Sequence, residues 1–107
     1  MKNERIAYRQ GEILFEKIDN VVGYNLEKLN TKIIREGELT GHKHEIVGNA
    51  ELWKMQIFGN TDEMILTADE DVKIIHPEHK TLDLPKGIYK IHIQREYDEL
   101  RERLIRD

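Results

Sequence analysis

The chain contains no cysteine. That excludes disulfides, thiolate-ligated zinc or iron–sulfur centres and a thiol nucleophile, and it suits a cytoplasmic setting. No uncharged apolar run approaches the ~20 residues that a membrane-spanning helix needs, so no membrane partner is expected. The opening Met1-Lys2-Asn3-Glu4-Arg5 leads into no apolar segment, so no secretory signal is expected either. Proline is scarce, at two residues, and no Pro-rich or Gly/Ser-rich linker or internal repeat divides the 107 residues, which read as one domain, 1–107. Positive charge is in deficit: 17 basic residues against 21 acidic ones give a net charge of −4. A general electrostatic grip on duplex DNA is therefore not expected, whereas a small molecule or nucleotide in a local basic pocket remains open. Neither a phosphate-cradling glycine-rich loop nor a G-x-S-x-G elbow is present.

What is present is dense punctuation. Gly11, Asp19-Asn20, Gly23, Gly37, Gly41, Gly48-Asn49, Gly59-Asn60, Pro77, Pro85 and Gly87 separate short apolar runs. This pattern predicts a mainly β fold, a small antiparallel barrel or sandwich. Strands are expected over 12–18, 42–47, 51–58, 63–68, 72–76 and 88–95. Residues 21–36 are ambiguous, since Leu26, Leu29 and Ile33 have helical spacing while Thr31, Ile33 and Ile34 suit a strand near 32–36. Gly48-Asn49 and Gly59-Asn60 read as hairpin turns. Tyr97, Leu100, Leu104 and Ile105, with Glu99/Arg103 and Glu102/Arg106 at i,i+4, predict a short amphipathic C-terminal helix. Its apolar stripe would close the end of the barrel or pack on a second copy in a homodimer.

Five histidines stand out. His42 and His44 form H-x-H, whose rings share one face of a strand, continued by Ile46. His76 shares a face with Val72 and Ile74, and His79 follows it across Pro77. H-x-H and H-x-x-H supply four imidazoles for a divalent transition metal: zinc, iron, nickel or manganese. The competing reading is of histidines near strand ends held by ordinary hydrogen bonds. Without a metal, His42, His44 or His76 would serve as general acid and base in a phosphodiesterase, with Arg95 or Lys43 stabilising phosphate. Arg95 and Tyr97 form a second candidate cluster, able to clamp an oxyanion and donate a proton, or alternatively to anchor the helix. His92 alternates with Lys90 on the polar face and reads as solvated. A non-catalytic interaction module, docking through the helix or an open strand edge, is the remaining class.

The runs Gly37-Glu38-Leu39-Thr40-Gly41-His42-Lys43-His44 and Leu84-Pro85-Lys86-Gly87-Ile88-Tyr89 resemble the two motifs of cupins, double-stranded β-helix barrels. That resemblance implies His42 and His44 as metal ligands. It departs from the cupin pattern at Glu51, and at Lys90, where a histidine is expected. With Arg9-Gln10-Gly11-Glu12, His76-Pro77-Glu78-His79 and Gln94-Arg95-Glu96-Tyr97-Asp98, the whole pattern also resembles a family of small uncharacterised prokaryotic proteins, which implies no activity. A similarity tied to no motif is to the small β-barrel ring nucleases of type III CRISPR systems, which implies metal-independent cleavage of a cyclic oligonucleotide by a dimer.

Overall fold

The computed structural model describes residues 6–36, 41–55 and 63–93. They form β1 (Ala7–Gln10), β2 (Ile13–Ile18), β3 (Leu26–Leu29), β4 (Ile33–Glu36), β5 (Lys43–Val47), β6 (Ala50–Met55), β7 (Met64–Ala68), β8 (Val72–His76), β9 (His79–Leu84) and β10 (Gly87–Ile93). All the pairings are antiparallel. One sheet has the order β1-β2-β10-β7-β6-β3 and the other β4-β5-β8-β9. Two sheets with separate edges make this a sandwich rather than a closed barrel.

Alternation along the strands builds the core. Ile13 and Phe15 of β2, Leu52 of β6, Leu66 of β7 and Tyr89 and Ile91 of β10 face Ile34, Ile46, Val72, Ile74 and Leu84 of the second sheet. Each fully buried large apolar side chain contributes roughly 1.5–3 kcal/mol. Tyr89 is fully buried and donates its hydroxyl to the Pro85 carbonyl at 2.7 Å. Burial pushes its pKa up to about 12, with Tyr8 and Asp71 adding to the rise. Trp53 and Met55 lie on the opposite face of β6 from Leu52, with Ile65 across from Trp53 and Thr67 diagonal to it on β7, opposite Glu51. There the Trp53 indole donates to Thr67 Oγ1 at 3.0 Å.

Gly48-Asn49 is not a hairpin turn. β5 and β6 belong to different sheets, so the pair turns a corner from one layer to the other. Gly48 takes φ +130 there, and a Cβ on it would come within 2.6 Å of Val72 Cγ1, so β8, the strand beside β5, leaves no room for a side chain at the corner. Three strands were not read from the sequence: β1, β3 and β9. Gly59-Asn60 and the expected C-terminal helix lie outside the described residues. Among the described residues no helix is long and apolar enough to cross a membrane.

Candidate metal centre

At one end of the sandwich, three segments converge. The β8–β9 hairpin carries His76 and His79, which are register partners across the two-residue turn Pro77-Glu78. β5 brings in His44, whose alternation with exposed Lys43 points it inward; it is 2% exposed. The β1–β2 turn supplies Gln10, Gly11 and Glu12. One potential ligand atom from each of His44, His76 and His79 lies within 4.8 Å of the others. The His44 ring centroid is 4.3 Å from that of His76 and 5.7 Å from that of His79, and the latter two are 4.5 Å apart. A tetrahedral ion with bonds of about 2.0–2.1 Å spaces its ligand atoms about 3.3 Å apart. The rings therefore need to close by roughly an ångström or more to coordinate.

The β1–β2 turn touches this group at three consecutive residues. Gln10 is 3% exposed and donates from Nε2 to the carbonyls of Ile74 (2.8 Å) and Lys80 (2.9 Å). Carbonyls only accept, so both amide hydrogens face them and Oε1 faces His44 Nδ1 at 2.8 Å. Oε1 also only accepts, so Nδ1 of His44 carries the proton. In the neutral ring Nε2 is then a bare lone pair. It is buried and has no hydrogen-bond partner among the described residues. Glu12 Oε1 lies 3.4 Å from it without hydrogen-bond alignment, an electrostatic neighbour rather than a partner. Gly11, at φ +60, packs so closely on His79 that a Cβ would come within 2.6 Å of His79 Nε2.

Burial holds His44 below the usual imidazole range; Glu12 opposes this and His76 reinforces it. Burial also lowers His76, helped by the neighbouring rings of His79 and His42. Burial tends to raise the Glu12 carboxyl, but its own backbone amide, His44 and Arg35 together outweigh that and hold it below its ordinary value. His44 and His76 are therefore held towards the neutral form, beside a carboxylate held towards the ionised one.

His42 approaches without joining the three. Its ring centroid is 5.7 Å from that of His76, and its Nδ1 is 3.5 Å from Glu78 Oε1. His76 Nδ1 accepts the Glu78 backbone N–H at 3.0 Å. Coordination through Nδ1 would displace that exposed bond, a cost of about 1 kcal/mol. His92 sits apart on the six-stranded sheet, its Nε2 2.9 Å from Glu16 Oε1. Arg95 and Tyr97 lie outside the described residues. A groove of about 370 Å³, lined by Gly41, Lys43, Glu45, Ile75, His76 and Pro77, reaches the group through His76.

Gln10, Gly11, Glu12 and Arg35 were given no role from the sequence. The signal for the first three was the Arg9-Gln10-Gly11-Glu12 run, whose Gly11-Glu12 forms the two-residue turn between the paired Gln10 and Ile13; nothing in the sequence singled out Arg35.

The fold and the site together define an antiparallel β-sandwich with a group of three histidines at one end, of which His44 is buried. Residues 9–94 match the domain of unknown function DUF8820, and the chain belongs to that family. No curated protein and no solved structure matches the chain.

Proposed function

We propose that this protein binds a divalent transition metal such as zinc, iron, nickel or manganese through His44, His76 and His79, with Glu12 as a fourth, oxygen donor. The reading is carried by one observation. A buried imidazole lone pair, His44 Nε2, is aimed into the group and faces a carboxylate oxygen 3.4 Å away. Two acceptors in that position repel unless a cation lies near both. A proton there would make either a buried imidazolium, which burial disfavours, or a neutral Glu12 carboxyl, which the lowered pKa of Glu12 opposes. A divalent ion satisfies both acceptors, and 3.4 Å is close to the ligand spacing of about 3.3 Å in a tetrahedral site.

The donor set of three imidazoles and one carboxylate suits borderline ions rather than calcium or magnesium. Bound there, such an ion would polarise a substrate or lower the pKa of a bound water. Equilibrium dialysis of untagged, chelator-treated protein against zinc, iron(II), nickel and manganese tests the reading. One ion per chain is expected for at least one of these metals. The same site should be lost in His44→Ala and kept in His92→Gln. Equal binding by the two variants would refute it.

Metal-independent acid–base chemistry at the same rings is the second reading. It is favoured by the lowered proton affinity of His44 and His76, which leaves neutral bases near physiological pH. Cleavage of RNA or a cyclic oligonucleotide that persists in EDTA and disappears in His44→Ala would select it.

A further inference from the structure

Arg35 is the register partner of His44 across β4 and β5, next to a shift in register between Ile33 and Arg35. Residues directly opposite in an antiparallel pair present their side chains to the same face, and irregularities of this kind re-aim a side chain. Arg35 is thereby brought to the histidine end of the sandwich. Its Nε lies 3.3 Å from Glu12 Oε2, while Glu12 Oε1 faces His44. The Glu12 contact is made by Nε, on one side of the guanidinium fork. The side chain is 43% exposed, so part of it stays open to a ligand beside Glu12.

The charges then decide the ligand class. A divalent ion among three neutral imidazoles leaves two positive charges. Glu12 and Arg35 cancel one another, and Glu78, which acts on His76 but is 67% exposed, is screened by water. The loaded site therefore carries a local excess of about two positive charges, on a protein whose net charge is −4. A neutral ligand leaves that excess in place in a partly buried setting, whereas a dianionic oxyanion removes it. A planar guanidinium suits two oxygens of one tetrahedral oxyanion, because its donors form a fork.

We infer that the metal-loaded site expands to five-coordinate and binds a phosphate-type oxyanion, one oxygen on the ion as fifth ligand and others on the Arg35 fork, so that its natural ligand carries a phosphate group. This rests on the metal reading above and adds to it the class of ligand. Free phosphate and a phosphate ester share the chemistry. Comparison of inorganic phosphate with methyl phosphate shows whether the pocket tolerates an ester substituent.

The test uses the full chain loaded with cobalt(II), whose visible spectrum reports changes at the ion. Saturable spectral change on adding inorganic phosphate is expected for the wild type. At saturating cobalt, Arg35→Gln should weaken phosphate binding at least tenfold, and Arg35→Lys should fall between the two. His92→Gln, on the other sheet and away from the ion, should keep phosphate binding at the wild-type level. No spectral response to phosphate overturns the inference, as does unchanged affinity in Arg35→Gln. A fall in the cobalt affinity of Arg35→Gln as large as its fall in phosphate affinity also overturns it, since Arg35 would then act only by positioning Glu12. Failure of the metal reading itself would show earlier and separately, as a cobalt spectrum that the protein leaves unchanged from that of the free ion, and the inference would fall with it.

Discussion

The Gln10 amide commits both hydrogens to Ile74 and Lys80, and that commitment determines which nitrogen of His44 is bare. Replacing it with leucine strands two carbonyls and releases the ring. Partners that orient a ligand imidazole in this way are typically worth about 10–100-fold in metal affinity. Gln10→Leu should therefore weaken binding by about that factor in a competition titration against a chromophoric chelator. It should also destabilise the fold by about 1–3 kcal/mol for each carbonyl left unpaired. Nitrogen-15 NMR of the metal-free wild type should show the Nδ1–H tautomer at His44, and an Nε2–H tautomer would contradict the account. At this scale the sequence was informative about the histidines and silent about their partners. H-x-H on a strand placed His44 inward through simple alternation. Gln10 and Glu12 lie more than 30 positions away, and only the packing of β1 against the β8–β9 hairpin brings them to the rings.

The β1–β2 turn and the β8–β9 hairpin are held face to face by the absence of one side chain, at Gly11. Gly11 and Gly23 both have positive φ, +60 and +89. They differ in surroundings: a Cβ at Gly11 meets the His79 ring, while one at Gly23 meets no atom within 4 Å. Gly23→Ala should cost about 1 kcal/mol through backbone conformation alone. Gly11→Ala should cost more and also displace His79, lowering metal affinity where Gly23→Ala leaves it unchanged. Denaturant melts paired with metal titrations of both variants check this, and equal metal affinities would contradict it. Most strands were legible as alternating runs between turn residues. β9 was not, because residues 79–83 are almost wholly polar and its pairing with β8 alone makes it a strand. Gly48-Asn49 was misread for a related reason. A glycine pair permits a tight hairpin and a corner between layers equally, and the choice depends on which strands β5 and β6 find as partners.

Across the whole molecule, the lowered proton affinities of His44 and His76 couple stability to pH. The unfolded chain takes up protons near pH 6.5 that the folded chain refuses, so stability is greatest above that value and is lost as pH falls below it. Glu12, also lowered, extends the loss below its ordinary value of 4.5. Chemical denaturation of metal-free protein should give a falling midpoint from pH 7.5 to 5, with a flatter profile in His44→Gln. A bound ion adds stability by mass action, roughly 2.7 kcal/mol at a hundredfold excess over its dissociation constant. The same acidification should release it as the imidazoles protonate. The most direct measurement of the central claim is an anomalous-difference map from a crystal of untagged protein grown with the metal that dialysis selects, collected at that metal's absorption edge. The account predicts one strong peak within bonding distance of His44 Nε2, shared with His76, His79 and Glu12. A map with no peak there, or with those three rings turned away from one another, would contradict it.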